Sequence, residues 1–188
     1  MKLPLERLSA TPTHYAFEAD TGWWQQQLQP HWGLPTALDE PLVVALDAHV
    51  MGEDLFLSGS LTGGLPLECS RCLSRYRHAL GESITLVLEP AGDRAPADPE
   101  GAASLTRDGV CFGDELESGW YRGNEIALAG YFLELIVLAL PVKPLCGEGC
   151  LGLCPSCGVD RNVEACDCAG PVRISPFSVL ADLRKDSK

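Results

Sequence analysis

The sequence predicts an α+β protein, with an antiparallel β-sheet that is open or partly closed into a barrel, one long helix, and cysteine-rich loops near the C-terminus. Three observations predict this class. Short apolar runs separated by turn residues fill the first half of the chain, one longer apolar run has helical spacing, and six of the nine cysteines lie within residues 144–171. With 188 residues, 46% of them hydrophobic, the chain is long enough for one core domain and a small appendage.

The predicted sheet is formed by apolar runs that end at turn residues. A first strand is expected around residues 3–8. Residues 41–50 and 55–61 are two apolar-rich runs around a short turn that contains Gly52, which is the pattern of a β-hairpin. Residues 76–89 predict a further strand, because Ile84, Leu86 and Leu88 would lie on one face of it.

Two segments predict helices and one predicts a loop. Residues 22–29 are expected to form a short helix that Pro30 ends. Residues 90–109 are rich in Pro, Ala, Gly and Asp and predict a solvated loop. The apolar run 126–142 is 17 residues long and contains Glu134, so it predicts a core helix rather than a membrane span. The helical spacing is shared by Leu128, Phe132, Leu135, Ile136, Ala139 and Leu140, and Pro141 ends the run.

The net charge of −12 and the pI of about 4.6 limit the partners that the protein can bind. Long-range electrostatics oppose non-specific binding to nucleic acid or to an anionic membrane, and they favour basic partners. The acidity is concentrated in residues 79–135, which hold 11 acidic and 3 basic residues.

The N-terminal residues show no signal-peptide pattern, so we expect a cytoplasmic protein. In a reducing compartment, nine cysteines indicate metal binding or redox chemistry more than structural disulfides.

Eight of the nine cysteines form closely spaced pairs, and this spacing predicts zinc binding. In a Cys-x-x-Cys pair the chain can turn back so that both thiolates meet one ion, while backbone N–H groups stabilise the sulfur charge. Gly158 follows one such pair and suits the positive φ that the turn needs. The pairs are Cys69 with Cys72, Cys146 with Cys150, Cys154 with Cys157, and Cys166 with Cys168.

Pairing by proximity predicts two structural zinc sites with four thiolates each. One site takes Cys154, Cys157, Cys166 and Cys168. The other takes Cys69, Cys72, Cys146 and Cys150, and it would join the β-sheet to the end of the long helix. Spacing alone does not determine the pairing, so a local site formed by Cys146, Cys150, Cys154 and Cys157 remains an alternative.

The cysteine-rich segment sets the expected domain boundaries. We expect an α+β core domain over residues 1–143. A zinc-binding segment over 144–171 follows, because this segment has too little apolar content to order itself without metal. A short apolar run near the end of the chain predicts that the tail over 172–188 docks on the core.

The predicted sites argue against catalysis. A zinc ion held by four thiolates has no open position for a substrate, and the sequence contains no Gly-x-Ser-x-Gly, His-Glu-x-x-His or Gly-rich phosphate motif. We therefore do not expect an enzyme. The alternative is a cytosolic thiol–disulfide or metal-handling protein that uses Cys69 and Cys72, because an isolated Cys-x-x-Cys pair is also a redox motif. Cys111 is interpreted as a small buried hydrophobic residue.

Arg71, Arg75 and Arg77 form, with His78, the basic cluster of this acidic sequence. Beside a metal-binding turn, the cluster predicts contact residues for a phosphate or for a protein partner. The other interpretation is a solvated strand edge, because three positive charges are a weak electrostatic footprint.

Five motifs occur in an order that resembles the bacterial YceD-like family. The resemblance runs from about Leu42 to the C-terminus, and the motifs are specific in combination although each alone is weak. They are Cys69-Ser70-Arg71-Cys72-Leu73, Leu138-Ala139-Leu140-Pro141-Val142-Lys143-Pro144, Cys150-Leu151-Gly152-Leu153-Cys154-Pro155-Ser156-Cys157-Gly158, Cys166-Asp167-Cys168 and Pro176-Phe177-Ser178-Val179-Leu180.

The resemblance implies a function that the residues alone do not indicate. It implies a cytoplasmic, non-enzymatic factor that supports accumulation of the large-subunit ribosomal RNA and ribosome biogenesis. The implied partner is a precursor of the large ribosomal subunit, bound through ribosomal RNA or through a basic ribosomal protein, without a membrane or a small-molecule substrate. Some members of the family lack the C-terminal cysteines and keep the Cys-x-Arg-Cys pair.

Overall fold

The computed structural model describes residues 1–28, 33–113 and 117–168. These ranges contain eight strands, three helices and one turn of 3₁₀ helix at Leu5–Arg7. The strands are β1 (Lys2–Pro4), β2 (Thr13–Ala19), β3 (Leu42–Met51), β4 (Asp54–Glu68), β5 (Arg75–Pro90), β6 (Val110–Phe112), β7 (Ser118–Tyr121) and β8 (Glu125–Ala127). The helices are α1 (Thr21–Gln27), α2 (Pro99–Arg107) and α3 (Ala129–Ala139).

The strands form one sheet of six and one of two. The larger sheet has the order β2-β3-β4-β5-β7-β6, and β1 pairs with β8 in the smaller one. The pairs β2–β3, β3–β4 and β6–β7 are antiparallel, whereas β5 and β7 are parallel. The α+β class is therefore confirmed, with a mixed sheet in place of an antiparallel one. Neither sheet closes into a barrel within the described ranges.

The predicted hairpin is confirmed. Met51 pairs with Asp54 across the turn, and Gly52 adopts the positive φ of 67° that glycine accepts without strain. Every second side chain of β3 from Leu42 to Ala48 is buried, as expected for a strand with one face on the core. The predicted short helix is also confirmed as α1, where the Asp20 carboxylate accepts the N–H of Trp23 at 2.8 Å.

The prediction of a loop over residues 90–109 is wrong, because α2 occupies most of the second half of this segment. Asp98 caps this helix by accepting the N–H of Gly101, and Pro99 is its first residue. Both are favoured at a helix start, since proline needs no hydrogen bond there. The helix and β6 lie in the chain between β5 and β7, and a connection of this kind allows two strands to run parallel.

The prediction of a single long helix is also wrong. The apolar run from residue 126 begins as β8, in which Ile126 pairs with Leu3 of β1, and both side chains are fully buried. Only 11 residues of the run form α3, which buries Tyr131, Phe132 and Ile136. Among the described residues, no helix is long and apolar enough to cross a membrane.

The chain divides into two compact units. The first comprises residues 1–67 and 75–144 and holds both sheets, the three helices and the main hydrophobic core. Of the described residues, 68–74 and 145–168 form the second unit. All eight paired cysteines belong to the second unit. The predicted docking of the tail over 172–188 lies outside the described residues.

Candidate metal centres

The first Cys-x-x-Cys pair lies in a tight turn between β4 and β5. The Cys69 N–H donates to the Ser74 carbonyl at 2.9 Å, and the Leu73 N–H donates to the Cys69 carbonyl at 2.9 Å. The Arg71 N–H points to the Cys69 Sγ at 3.4 Å. This turn brings both sulfur atoms to one side, as a metal-binding turn requires.

Cys146 and Cys150 complete a first group of four. The Sγ atoms of Cys69 and Cys150 are 3.8 Å apart, and those of Cys72 and Cys146 are 3.6 Å apart. All four sulfur atoms lie within 4.8 Å of one another. We call Cys69, Cys72, Cys146 and Cys150 the first thiol group.

Cys154, Cys157, Cys166 and Cys168 form the second thiol group, and their sulfur atoms also lie within 4.8 Å of one another. The Ser156 N–H points to the Cys154 Sγ at 3.5 Å, and the Gly158 N–H donates to the Cys154 carbonyl at 2.9 Å. This is the same turn as in the first group. The two groups are those that pairing by proximity predicts, and the alternative group of Cys146, Cys150, Cys154 and Cys157 is not formed.

The sulfur spacing fits a tetrahedral ion. Zn–S bonds of about 2.3 Å at tetrahedral angles place neighbouring sulfur atoms about 3.8 Å apart. A disulfide would need about 2.05 Å, and all nine cysteines are free. Each thiol group can therefore hold one metal ion with its four thiolates, and such an ion has no coordination position left for a substrate.

One thiol in each group ionises easily because the turn points N–H groups at its sulfur. Burial opposes ionisation of Cys69, but backbone N–H groups, first that of Cys72, outweigh it and lower the pKa of Cys69 to about 6. The N–H groups of Cys157 and Ser156 lower the pKa of Cys154 to about 6. Each group thus has one thiolate available at neutral pH to begin metal binding.

Other thiols of the groups keep their protons. Hydrogen bonds within the first thiol group, first with Cys150, raise the pKa of Cys146 to about 12. A hydrogen bond with Cys157 and then burial raise the pKa of Cys168 to about 12. Neighbouring thiolates repel each other, so a proton is shared between sulfur atoms until a divalent cation removes the repulsion. Metal binding to either group therefore releases protons.

The two turns differ at the residue that follows the second cysteine. Gly158 has φ 77° in the second thiol group, and Leu73 has φ 60° in the first. The left-handed region costs a residue with a side chain about 1–2 kcal/mol, so Leu73 is strained where Gly158 is not. The Leu73 side chain is 54% exposed, so burial does not explain its presence.

The predicted partner-contact arginines have different surroundings. The Arg71 guanidinium donates to the carbonyls of Cys150 at 3.0 Å and Glu148 at 3.3 Å, and it thereby links the two halves of the first thiol group. Arg77 forms an ion pair with Glu40. Arg75 is exposed at the start of β5. Two of the three side chains thus have intramolecular partners, and their role as contact residues stays a prediction.

Two further residues complete the description of the site. Cys111 belongs to neither group; it is buried against Ala91 and Leu105, and burial, followed by the charge of Asp98, raises its pKa. Asn162 donates to the Cys150 Sγ at 3.4 Å, and sequence reasoning missed it. The signal available was the Asp-x-Asn spacing of Asp160 and Asn162 between two cysteine pairs, which is typical of side chains that bind nearby backbone.

Comparison of the sequence with known proteins identifies a family match and several relatives. The sequence model of the family described as large ribosomal RNA subunit accumulation protein YceD matches residues 57–184, a range that includes all eight paired cysteines. Uncharacterized proteins of Mycobacterium tuberculosis and Mycobacterium bovis are each 30% identical over 130 residues, which are 68% of this chain and 56% of theirs. An uncharacterized protein of Mycobacterium leprae is 26% identical over 133 residues, 71% of this chain and 52% of its own. The chain thus spans about half the length of these curated relatives, and no solved structure matches it.

Proposed function

Because the chain belongs to the YceD family of large ribosomal RNA subunit accumulation proteins, we propose that it supports accumulation of the large-subunit ribosomal RNA and ribosome biogenesis in the cytoplasm. The observation that carries this proposal is the family match over residues 57–184. In this proposal the protein is a non-enzymatic factor with two structural zinc ions, and it acts by binding a precursor of the large subunit.

Zinc is the ion that the donor set favours. Four thiolates in a tetrahedron suit zinc, or iron as the main competitor, whereas calcium and magnesium prefer oxygen ligands. The first thiol group would hold one ion and the second thiol group the other. The ion would neutralise the thiolates and fix the loops of the second unit, and the absence of an open position supports a structural role rather than a catalytic one.

The role in RNA accumulation is tested by depletion in the native cell. Removal of the protein should lower the ratio of large-subunit to small-subunit ribosomal RNA, and the wild-type chain should restore it. A chain in which Cys69 and Cys72 are changed to Ser should not restore it, whereas Cys111→Ser should, because Cys111 is in neither thiol group. A normal ratio after depletion would refute the proposed function.

The partner contact is best tested at Arg75. Arg71 holds two carbonyls of the first thiol group, so its replacement would disturb the metal site as well as any contact. Arg75→Glu changes an exposed side chain, and Arg7→Glu is the matched control because Arg7 is exposed in the 3₁₀ turn. If ribosomal RNA is the direct partner, Arg75→Glu weakens co-sedimentation with large-subunit precursors and Arg7→Glu does not.

The alternative proposal is that a basic ribosomal protein is the direct partner. It would bind the acidic region over residues 79–135, in keeping with the net charge of −12. Replacing Asp114, Glu115 and Glu117 by the corresponding amides should then weaken co-sedimentation, while Arg75→Glu has little effect. Of these three acidic residues, Asp114 and Glu115 lie outside the described residues. Wild-type behaviour of both variants would show that neither region carries the contact.

One observation favours the alternative, a thiol–disulfide or metal-handling protein. The pKa of Cys69 is lowered to about 6, which is typical of reactive cysteines. However, Cys69 is fully buried and Cys72 is 6% exposed, so a protein disulfide cannot approach either sulfur in this conformation. Insulin reduction that depends on Cys69 and Cys72 would favour the alternative, and its absence would favour the structural role.

A further inference from the structure

In the sequence, Asn162 lies between the two cysteine pairs of the second thiol group, but its side chain contacts Cys150 of the first thiol group. It belongs to the loop of residues 158–165 between the two cysteine pairs of the second thiol group. Its side-chain Nδ2 donates to the Cys150 Sγ at 3.4 Å, and its Oδ1 accepts the N–H of Leu151 at 2.8 Å. One side chain therefore binds both the sulfur atom of a predicted metal ligand and the backbone that follows that ligand.

The orientation of the Asn162 amide is determined by its partners. The Asp160 carboxylate accepts from the Asn162 Nδ2 at 2.6 Å and from the Asn162 N–H at 2.9 Å. Both hydrogens of the amide nitrogen are thus used, one by Cys150 and one by Asp160. A flipped amide would place its oxygen against the Asp160 carboxylate, which can only accept, and its nitrogen against the Leu151 N–H, which can only donate. The amide therefore presents a donor to the Cys150 sulfur.

The backbone around Asn162 ties the same two segments together. Three residues separate Cys150, the last cysteine of the first thiol group, from Cys154, the first of the second. Within this link the Leu153 N–H donates to the Arg71 carbonyl at 3.0 Å, and the Gly152 carbonyl accepts the Arg161 N–H at 3.0 Å. The loop that the second thiol group would close around its ion is therefore the loop that supports Cys150.

We propose that Asn162 is a positioning residue for the first thiol group, and that it couples the two metal sites, so that an ion in the second thiol group raises the affinity of the first. This inference rests on the proposal that both groups hold zinc. N–H donors to a metal-bound thiolate lower the charge that the ion must neutralise, and they orient the ligand. The donor is in place only when its own loop is ordered, and the second ion orders that loop.

The first part of the test is a cobalt titration of the full-length protein, prepared without metal under reducing conditions. Asn162→Asp keeps an oxygen for the Leu151 N–H but turns a carboxylate toward the Cys150 sulfur. The variant should bind one Co²⁺ per chain with wild-type affinity and the other roughly 10–100-fold more weakly, as expected for loss of a group that supports a ligand. Asn124→Asp makes the same chemical change in the first unit and should leave both affinities unchanged.

A spectroscopic signal distinguishes a contact to sulfur from general support of the loop. In fully loaded protein, Asn162→Asp should move the sulfur-to-cobalt charge-transfer band to lower energy, because a thiolate without its N–H donor gives up an electron more readily. A merely structural role would leave the band of the loaded protein in place, and this result would overturn the inference.

The coupling is tested by disabling the second thiol group. With Cys157 and Cys168 both changed to Ser, the affinity of the first thiol group should fall by about the factor that Asn162→Asp produces alone. Adding Asn162→Asp to this variant should then have little further effect, because the loop no longer presents its donor. Equal affinity of the first thiol group with and without a functional second group would overturn the coupling.

The outcomes separate this inference from the proposed function. Wild-type protein that binds two ions, together with an Asn162→Asp variant that matches it in affinity and spectrum, would overturn only the role of Asn162. Wild-type protein that binds neither cobalt nor zinc would overturn the proposed metal sites and the inference with them.

Discussion

Gly59 lies at a point of the sheet where no side chain fits, and its replacement by alanine should strongly destabilise the first unit. Gly59 of β4 pairs with Leu46 of β3. A Cβ atom added at Gly59 would lie 2.0 Å from the Ala45 carbonyl oxygen and 3.0 Å from the Leu46 Cα, and both are backbone atoms that cannot rotate away. Real Cβ atoms essentially never approach closer than 3.0 Å, so the strands must separate by about 1 Å.

The expected cost follows from this separation. A ladder hydrogen bond stretched by about 1 Å is lost, and each buried backbone group left without a partner costs about 1–3 kcal/mol. Leu46 is buried at this point, so part of its packing is lost as well. Restricting the unfolded chain by replacing glycine returns about 0.5–1 kcal/mol. We expect a net destabilisation on the order of 3 kcal/mol, or roughly 10 °C in Tm for a chain of this size.

Gly81 of β5 provides the matched control. It is exposed, and a Cβ atom added there would meet no atom within 4 Å. Gly81→Ala should therefore be neutral or stabilising by up to about 1 kcal/mol. Chemical denaturation of the metal-loaded proteins, followed by far-ultraviolet circular dichroism, measures both variants. A Gly59→Ala variant as stable as Gly81→Ala would refute the close approach of β3 and β4.

Three further predictions concern the core, the loops and the unpaired cysteine. Burial, and then the charge of Glu117, raise the pKa of Tyr131 to about 12. Since an unfolded tyrosine ionises near 10, Tyr131 should lower the free energy of unfolding by about 1.4 kcal/mol per pH unit from about pH 10 to 12, and Tyr131→Phe should reduce the slope by this amount in denaturation measurements. Chelator treatment should expose Arg161 to trypsin while the first unit resists, because the described part of the second unit is ordered mainly by its thiol groups; an unchanged cleavage pattern would contradict this. Cys111→Ala should keep the full metal content by elemental analysis, because Cys111 contacts neither group, and loss of an ion would contradict that placement.

Features set by neighbours in the sequence were predictable. The hairpin follows from the two apolar-rich runs 41–50 and 55–61 around a turn that contains Gly52, and the two metal-binding turns follow from cysteine spacing. The start of α2 was also readable from Asp98 and Pro99, but the Pro- and Gly-rich composition around them favoured a loop.

Features set by distant parts of the chain were not predictable. The apolar run from residue 126 suits a strand or a helix, and its first residues become β8 only because Leu3 of β1 pairs with Ile126. The parallel pairing of β5 and β7 likewise depends on the path of the chain between them.

The same limit applies to the candidate site. Arg71 belongs to a basic cluster, which is typical of an external contact, yet its guanidinium donates to the carbonyls of Glu148 and Cys150. The spacing of Asp160 and Asn162 indicates side chains that bind nearby backbone, but it does not indicate that the Asn162 amide reaches the Cys150 sulfur. Both contacts depend on how the second unit folds around its thiols, which residue spacing does not specify.

The measurement that tests the central claim most directly is a count of metal ions per chain, by native mass spectrometry and elemental analysis of full-length protein prepared under reducing conditions. We expect two zinc ions in the wild-type chain, one for each thiol group. We expect one ion when Cys69 and Cys72 are changed to Ser, one when Cys154 and Cys157 are changed to Ser, and none when all four are changed. Wild-type protein without bound metal would contradict the account. A second contradicting result would be that the variant with Cys154 and Cys157 changed loses both ions while the variant with Cys69 and Cys72 changed keeps two.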